Sequence, residues 1–301
     1  MESPAAASPF PGPLGRVRTF LEMIRFSHTL FALPFALTGM LLPRRGLPEG
    51  RTVLWILAAM VGARTAAMTF NRLADHRLDA GNPRTAGRAL PAGTLSRGFA
   101  AGALVLSVAL FLLAAWNLNG LCLLLAGPTL VVLLGYSLAK RFTALCHFAL
   151  GLALGISPAG AYLGVTGAFD GGFPAAAVLG AAVVLWVGGF DVVYACQDVE
   201  ADRSLGLHSI PARLGIPRAL RLAAACHAAT IGLLFGFGVL AGLGAIYFVA
   251  AGASAALLLV EHRVVRPDDL ARVNLAFFHI NAAVSILVLA GTAADLLFRR
   301  A

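Results

Sequence analysis

The chain has 301 residues, of which 59% are hydrophobic and only 12% are charged. Soluble globular domains contain about 45–50% apolar residues, so this composition excludes an ordinary soluble domain and predicts an integral membrane protein. The formal net charge of +9 is predicted to serve membrane topology and contact with anionic lipids of the bilayer, and no nucleic-acid partner is expected.

The N-terminal residues 1–15 are rich in Pro, Ala and Ser, which predicts a disordered tail. No small-residue cleavage site follows the first apolar segment, so a cleaved signal peptide is not predicted. Residues 16–301 are expected to form a single transmembrane domain. The four cysteines stand singly in apolar segments without Cys-x-x-Cys spacing, and they are interpreted as small core residues.

Apolar segments long enough to cross a bilayer recur along the chain. A span needs about 20 mostly apolar residues, and this criterion predicts nine helices. They lie near 20–42, 52–74, 97–116, 119–138, 144–166, 174–196, 217–240, 243–260 and 274–297. The predicted fold class is therefore all-α, a polytopic membrane protein built as a bundle of nine transmembrane helices.

Arginine and lysine are distributed unevenly among the breaks between these helices. They concentrate in the N-terminal flank and in the breaks after helices 2, 4, 6 and 8, whereas the breaks after helices 3, 5 and 7 hold none. By the positive-inside tendency, the N-terminus and the even-numbered breaks are predicted to face the cytoplasm, with the chain in the inner (plasma) membrane. The arginines that go against this rule are Arg44, Arg45, Arg51, Arg299 and Arg300.

Regularly spaced polar residues mark the ends of the second and sixth predicted helices. The first set is Asn71, Asp75 and Asp79, and a second set, Tyr194, Asp198 and Asp202, repeats its spacing 123 residues later. Residues four apart share one face of a helix, so each segment is predicted to present two carboxylates in a column. The repeat predicts an internal duplication, with halves at about 20–142 and 143–262 followed by the ninth helix.

Both acidic segments close even-numbered helices, so they are predicted to face each other across one central cavity that opens near the cytoplasmic side. Four carboxylates in one cavity repel each other, and ionised residues at membrane depth are costly enough to indicate a functional site. Hard oxygen ligands suit Mg²⁺, which substrate phosphates commonly complete, and neighbouring arginines can grip phosphate oxygens. The pattern predicts a substrate that is anionic at one end and apolar at the other, such as an isoprenyl diphosphate.

The residues around both acidic segments resemble the UbiA-type intramembrane aromatic prenyltransferases. NRLADHRLD at 71–79, with NPRT at 82–85 and RALP at 88–91, is similar to the first Asp-rich motif of that family. DVVYACQDVEAD at 191–202, with GLHSIP at 206–211, is similar to the second, and GYSLAKRFT at 135–143 is similar to the basic motif that closes the fourth helix. One departure is Arg72, which stands where many members carry an aspartate.

The resemblance implies a nine-helix bundle around a central cavity and Mg²⁺-dependent transfer of a polyprenyl group from polyprenyl diphosphate to an aromatic acid. The pattern is closest to 4-hydroxybenzoate polyprenyltransferases and to related enzymes of the futalosine route to menaquinone. The implied acceptor is therefore 4-hydroxybenzoate or 1,4-dihydroxy-6-naphthoate, in ubiquinone or menaquinone biosynthesis. No obligatory protein partner is inferred.

The resemblance and the spacing imply roles for individual residues of both acidic segments and of the basic motif. Two metal-binding pairs are implied, and they are Asp75 with Asp79 and Asp198 with Asp202. Asn71 would be a neutral metal ligand or a hydrogen-bond donor behind the metal. The candidates for a diphosphate clamp are Arg84, Arg88, Lys140 and Arg141. The ring of Tyr194 could face an allylic cation, or it could anchor its helix at the membrane interface.

Two further charged residues lie deeper in the predicted spans. Asp191 precedes Asp198 by seven residues on the same helical face, where it could orient an acceptor hydroxyl or act as the base. Arg64 precedes Asn71 by seven residues, and it could bind an acceptor carboxylate or form a structural ion pair with Asp191. The sequence leaves both alternatives open.

Two other classes of membrane protein share some of these features. A secondary transporter also has repeats and buried charges, but its repeats are frequently inverted and its site lies near the bilayer midplane. Here the repeat is parallel and the charges stand at helix ends. Another lipid phosphate transferase, such as one that uses CDP-linked lipids, would carry an Asp-Gly-x-x-Ala-Arg element, which the sequence lacks.

Overall fold

The computed structural model describes residues 12–24, 31–270, 273 and 276–298. In these residues the chain forms α-helices and no β-strand. The helices are α1 (Pro13–Met23), α2 (Leu33–Leu41), α3 (Gly50–Ala74), α4 (His76–Gly81), α5 (Arg97–Leu118), α6 (Gly120–Ala139), α7 (Cys146–Thr166), α8 (Phe173–Ala195), α9 (Val199–Ser204), α10 (Ile210–Leu214), α11 (Ile216–Leu240), α12 (Ala245–Val264) and α13 (Asn281–Phe298). A 3₁₀ turn (Cys196–Asp198) precedes α9 and a π-helical turn (Ala276–Ile280) precedes α13.

Eight of the described helices are long and apolar enough to cross a membrane. They correspond to the second through ninth predicted spans, so the predicted all-α membrane bundle is confirmed. The first predicted span, 20–42, includes residues 25–30, which lie outside the described residues, as do Arg299, Arg300 and most of the predicted tail. Helix α1 begins at Pro13, inside that tail, because the fixed backbone angle of proline suits the first helical position.

Helix α8 lies at the centre of the bundle. It packs against α7, α11 and α2, and its Trp186 and Phe190 are almost fully buried. Both rings contact Phe31 and each other, while the indole of Trp186 donates a hydrogen bond to Asn281 Oδ1 at 2.7 Å. A helix that is apolar all round belongs in the core, and this position fixes the second acidic segment at the end of the most buried helix.

A sharp hairpin joins α5 to α6 at Asn119. The Asn119 side chain accepts a hydrogen bond from Cys122 N at 2.9 Å and so caps the start of α6. Its amide also donates to Leu163 O near the end of α7, at 2.8 Å. An asparagine at the N-cap satisfies an otherwise unpaired helix amide, and here it also ties the hairpin to a third helix.

The arginines that go against the positive-inside rule have local partners in the α2–α3 connection. Arg45 Nη2 donates to Gly242 O, in the turn between α11 and α12, at 3.2 Å. Arg44 pairs with Glu49 at 3.4 Å. These two arginines are therefore explained by packing between loops at the end of the bundle that lies opposite the acidic segments.

Helices α7 and α8 approach so closely that only glycine fits at two facing positions. A Cβ on Gly155 would lie 2.7 Å from Gly180 O, and a Cβ on Gly180 would lie 2.6 Å from Gly155 O. Both distances are shorter than real Cβ contacts, so backbone would have to move. Small residues at such crossings allow membrane helices to pack by van der Waals contact.

Gly155→Ala is expected to lower the free energy of unfolding by about 1–3 kcal/mol, the usual cost of overpacking. Gly135→Ala in α6 is the matched control, because no atom lies within 4 Å of its added Cβ and alanine favours helix. Thermal unfolding of both variants in detergent measures the difference. Equal melting temperatures for the two would contradict the close approach of α7 and α8.

Candidate active site

A single cavity of ≈ 710 Å³ brings together all the residues that the sequence singled out. Those residues are Arg64, Asn71, Asp75, Asp79, Arg84, Arg88, Lys140, Arg141, Asp191, Tyr194, Asp198 and Asp202, and each of them lines the cavity wall. The end of the bundle where Asp75 and Asp198 lie is called the acidic end below. The ends of α3, α6 and α8 meet there.

Neither acidic segment is one continuous helix, although backbone hydrogen bonds of helical spacing persist through the first, from Asp75 N to Asn71 O and from Asp79 N to Asp75 O. Helix α3 ends at Ala74, Asp75 has φ −92° and ψ 5°, and α4 begins at His76. In the second segment the 3₁₀ turn separates α8 from α9. The carboxylates of the first segment pair with different cations and, besides burial, repulsion by Asp79 still contributes to the raised pKa of the Asp75 carboxyl.

In the first segment, each carboxylate has its own arginine. Arg141 Nη2 donates to Asp75 Oδ1 at 3.2 Å and to Ala74 O at 2.6 Å. Arg88 Nη1 donates to both oxygens of Asp79, at 2.7 and 2.8 Å. Among the described residues Arg88 uses only this one nitrogen, so its Nε and Nη2 can donate to a further ligand in the cavity.

In the second segment, Arg84 grips Asp198 with two nitrogens. Its Nε donates to Oδ1 at 2.8 Å and its Nη2 donates to Oδ2 at 2.5 Å. Arg84 Nη1 also donates to Tyr194 OH at 2.9 Å, and its guanidinium lies 5.1 Å from the ring centroid of Tyr194. Lys140 Nζ pairs with Asp202 Oδ1 at 2.7 Å. The two parallel N–H···O bonds between Arg84 and Asp198 belong to the strongest type that proteins form.

The loop that follows α4 connects the first acidic segment to the second. Arg84 and Asn82 both belong to this loop, and Asn82 Nδ2 donates to Asp198 Oδ1 at 3.2 Å. Asn82 Oδ1 in turn accepts from Arg84 N at 2.9 Å, which fixes the loop. The two acidic segments are thereby joined by direct hydrogen bonds, although 114 residues separate Arg84 from Asp198.

Each of the four carboxylates at the acidic end has a close cation of its own, and Arg72 lies near Asp79 as well. Burial lowers the pKa of the Lys140 ammonium, but attraction by Asp202 outweighs this and raises that pKa above its usual value. The pKa of Arg84 is likewise raised, because its bonds to Asp198 and Tyr194 outweigh burial. Burial raises the pKa of the Asp75 carboxyl, and the hydrogen bond from Arg141 opposes this only in part. Lys140 and Arg84 therefore stay charged at neutral pH.

Arg72 fixes the orientation of the Asn71 amide. Arg72 Nη1 donates to Asn71 Oδ1 at 3.2 Å, and Asn71 Nδ2 donates to Asp75 Oδ2 at 3.0 Å. An arginine can only donate, so the amide oxygen must face Arg72 and the amide nitrogen must face the carboxylate. Of the two roles predicted for Asn71, this geometry favours a hydrogen-bond donor behind Asp75, the predicted metal ligand.

Arg72 also connects the acidic end to α1. Its Nε donates to Met23 O, at the end of α1, at 3.3 Å, and its Nη1 lies 3.9 Å from Asp79 Oδ2. Only 6% of Arg72 is exposed. The arginine that departs from the family pattern therefore holds α1 against the first acidic segment.

Arg72→Leu is expected to lower the free energy of unfolding by about 2 kcal/mol, since buried acceptors lose their donor. It should also speed hydrogen exchange of the backbone amides at the end of α1. Arg77→Leu, at an exposed arginine five residues on, is the control. Unchanged exchange in α1 of the Arg72 variant would contradict the connection.

Asp191 is paired with His147, and the described residues show no ion pair between Arg64 and Asp191. His147 Nδ1 lies 2.6 Å from Asp191 Oδ2, and Arg64 lines the cavity on α3 without approaching Asp191 within ion-pair distance. The alternative in which Arg64 binds an acceptor carboxylate therefore stays open. From the sequence no role is predicted for His147, and Asn82 is included only as part of the NPRT motif.

The donor set at the acidic end fits Mg²⁺. All four carboxylates line the cavity, and Asp202 Oδ2 is buried with no hydrogen-bond partner in the described part of the chain. A buried carboxylate oxygen without a donor is a ready ligand for a hard cation. Within the described residues no three such side chains already converge on one point, because each carboxylate is turned toward its own cation.

Beyond the acidic end the cavity wall becomes apolar. It continues past Met60 and Ile56 on α3 to Phe169 and Phe173, near the start of α8. Ile56 precedes Asp75 by nineteen residues, so at about 1.5 Å per residue the cavity extends roughly 28 Å along α3. That distance is close to the thickness of the hydrocarbon core of a bilayer.

Comparison with known proteins agrees with this fold. Residues 32–283 match the model of the UbiA prenyltransferase family. A 4-hydroxybenzoate octaprenyltransferase from Nitrosospira multiformis is 31% identical over 269 residues, which cover 88% of this chain and 90% of that protein.

Solved structures have the same fold. The apo structure of a UbiA homolog from Aeropyrum pernix K1 has a TM-score of 0.82 and 37% identity, with 89% of this chain and 98% of that chain covered. A UbiA homolog from Archaeoglobus fulgidus bound to GPP and Mg²⁺ has a TM-score of 0.70 at 20% identity, with 93% and 99% covered. This chain is an integral membrane transferase that belongs to the UbiA prenyltransferase family.

Proposed function

We propose that this chain transfers a polyprenyl group from polyprenyl diphosphate to an aromatic acid that carries a hydroxyl group, in a Mg²⁺-dependent reaction. The acceptor is 4-hydroxybenzoate or 1,4-dihydroxy-6-naphthoate, which places the enzyme in ubiquinone or menaquinone biosynthesis. The observation that carries the proposal is one cavity with paired carboxylates and cations at one end and an apolar wall along the rest.

The acidic end suits a diphosphate with its metal ions. Asp75 with Asp79 and Asp198 with Asp202 would hold Mg²⁺, which when bound supplies positive charge to the leaving diphosphate. The UbiA homolog from Archaeoglobus fulgidus was solved with GPP and Mg²⁺, which supports this assignment. Arg88 and Lys140 have donors to spare for phosphate oxygens, because each satisfies one carboxylate with a single nitrogen.

The apolar length of the cavity suits a polyprenyl chain. A chain bound with its diphosphate at the acidic end would lie along Met60 and Ile56 toward Phe173. Each added apolar group makes further van der Waals contacts with this wall, so the wall would favour a long apolar substrate. The octaprenyltransferase named among the relatives supports a long chain.

The aromatic acceptor fits between the acidic end and Arg64. Measured along their helices from Asp198 and Asp75, Arg64 lies about four residues deeper than Asp191, or roughly 6 Å. That is the scale of one benzene ring with substituents at opposite positions. Asp191 would accept the hydroxyl hydrogen bond of the acceptor, and Arg64 would bind its carboxylate.

The reaction breaks the bond between prenyl C1 and the diphosphate oxygen, and the electron pair leaves with the diphosphate. A ring carbon next to the hydroxyl then bonds to C1, while the hydroxyl proton passes to Asp191. The ring-carbon proton moves to the oxygen and restores the aromatic hydroxyl. Asp191 then passes its proton to the departing diphosphate, so one proton is released per product and the carboxylate is restored. Arg84, Arg88 and Lys140 would stabilise the charge that develops on that leaving group.

The orientation proposed for the chain puts its acidic end at the cytoplasmic face of the inner membrane. The lysine and arginine distribution supports this, and a water-soluble aromatic acid could enter from the cytoplasm. No obligatory protein partner is proposed.

A membrane-fraction assay with labelled polyprenyl diphosphate tests the function. Each acceptor is supplied separately, with and without Mg²⁺, to the wild type, Asp75→Ala and Asp198→Ala. The expected result is Mg²⁺-dependent prenylation of one acceptor that both variants lose. If neither acceptor is prenylated while a control enzyme works, the acceptor assignment is wrong. If the variants match the wild type, the two-segment metal assignment is wrong.

A further inference from the structure

His147 lies in the first turn of α7 and connects three elements around the cavity. Its Nδ1 lies 2.6 Å from Asp191 Oδ2 on α8, and its Nε2 accepts the backbone N–H of Ile210, at the start of α10, at 3.2 Å. Only 2% of His147 is exposed. The imidazole is thus held at both nitrogens in a buried position.

The Ile210 amide determines which nitrogen of His147 carries the proton. A backbone N–H can only donate, so Nε2 must be the unprotonated acceptor. In the neutral ring the proton then sits on Nδ1 and points to Asp191 Oδ2. The partner of one ring nitrogen sets the state of the other, and while the Ile210 bond is kept Nε2 cannot take up a proton. His147 is therefore a fixed donor to Asp191 and not a proton shuttle.

The hydrogen bond from His147 leaves the second oxygen of Asp191 available to the cavity. Asp191 lines the cavity with 24% of its side chain exposed. Among the described residues, Oδ1 accepts no hydrogen bond, whereas Oδ2 is held by His147. A carboxylate anchored through one oxygen presents the other in a defined direction, which is how neighbouring hydrogen bonds hold a reacting group in place.

We propose that His147 is a positioning residue for the aromatic acceptor: it holds Asp191 so that Oδ1 receives the acceptor hydroxyl. The inference rests on the proposed function. It assigns to His147 an effect on the acceptor half of the reaction only, because among the described residues the ring forms no hydrogen bond or ion pair with any of the four carboxylate–cation pairs. Ionisation of polyprenyl diphosphate does not depend on it.

Two substitutions at His147 separate its two hydrogen bonds. In His147→Asn, the amide nitrogen can take the place of Nδ1 and still donate to Asp191, while the acceptor for Ile210 is lost. In His147→Gln, the amide oxygen can take the place of Nε2 and still accept from Ile210, while the donor to Asp191 is lost. His208→Gln, at an exposed histidine two residues before Ile210, is the matched control.

The experiment measures steady-state prenylation by the full chain in membranes, with Mg²⁺ and with each substrate varied in turn. For His147→Gln, kcat/KM for the acceptor is expected to fall about 10-fold to 100-fold, as for loss of a hydrogen bond to a charged group. The KM for polyprenyl diphosphate should stay within about twofold, as should the rate of Mg²⁺-dependent hydrolysis of polyprenyl diphosphate without acceptor. His147→Asn should recover most of the acceptor kcat/KM, and His208→Gln should match the wild type.

Equal losses in His147→Asn and His147→Gln, or a loss in the hydrolysis rate as large as the loss with acceptor, would show a structural role and overturn the proposal. An unchanged His147→Gln would do the same. If His147→Gln does not fold, His147→Asn decides alone: an acceptor KM near that of the wild type supports the proposal, and a rise of more than about tenfold overturns it. A wild type that prenylates no acceptor would refute the proposed function instead.

Discussion

Asp198→Asn is expected to lower kcat/KM for polyprenyl diphosphate by about 10²-fold to 10⁴-fold, because loss of a charged metal ligand removes several kcal/mol of transition-state stabilisation. Asp198 has the densest set of contacts among the four carboxylates. It accepts from Arg84 and from Asn82, so it joins the loop of the first acidic segment to the second. The substitution removes one charge with almost no change in volume, and initial-rate kinetics in membranes with Mg²⁺ measure the effect.

The matched control for Asp198→Asn is Glu200→Gln. Glu200 lies two residues away, at the start of α9, and its side chain is exposed. It should keep the activity of the wild type. An Asp198 variant that keeps at least half of that activity would contradict the assignment of Asp198 to the metal site.

Lys140→Met is expected to lower the free energy of unfolding by about 3–5 kcal/mol, because it leaves a buried carboxylate without its cation. Asp202 is 2% exposed, and Lys140 is its ion-pair partner at 2.7 Å. Thermal unfolding in detergent measures the loss. Lys140→Arg, which keeps the charge, should lose much less.

The double variant Lys140→Met/Asp202→Asn separates stability from activity. Removing both charges removes the unpaired carboxylate, so most of the lost stability should return. Activity should stay absent, because the proposed metal ligand and the diphosphate donor are both gone. A double variant that is no more stable than Lys140→Met would contradict the pairing of these two residues.

The membrane-spanning helices were predictable because they depend on one local property, the length of an apolar run. Eight runs of apolar residues are long enough to cross a bilayer, and burial of backbone polar groups within a helix is obligatory in lipid. The acidic segments were found from their matching spacing. The family assignment followed from those segments and is shown by the match over residues 32–283.

The breaks in the acidic segments were not predictable from spacing. Four-residue intervals fit a continuous helix as well as they fit a helix followed by a short second one. Whether the helix is interrupted at Asp75 depends on cations that come from other elements, since Arg141 follows α6 and Arg88 follows α4. Such pairings need the folded loop at 82–96, whose conformation the sequence pattern does not specify.

The role of His147 was also hidden from the sequence. It is separated from Asp191 by 44 residues and from Ile210 by 63, and a single histidine at the start of an apolar helix has no periodic signature. The same limit applies to Arg64, for which the sequence could not decide between Asp191 and an acceptor carboxylate. In the structure Asp191 is paired with His147, and the binding of an acceptor carboxylate by Arg64 stays a prediction.

The central claim is that the two acidic segments together hold the metal and the diphosphate. Anomalous diffraction tests it most directly, from crystals of the full chain with Mn²⁺ in place of Mg²⁺ and a non-reactive polyprenyl thiodiphosphate. The account predicts manganese peaks within coordination distance of carboxylates from both segments, with the diphosphate between them and near Arg88 and Lys140. Manganese bound elsewhere in the chain, or a diphosphate that contacts neither segment, would contradict it.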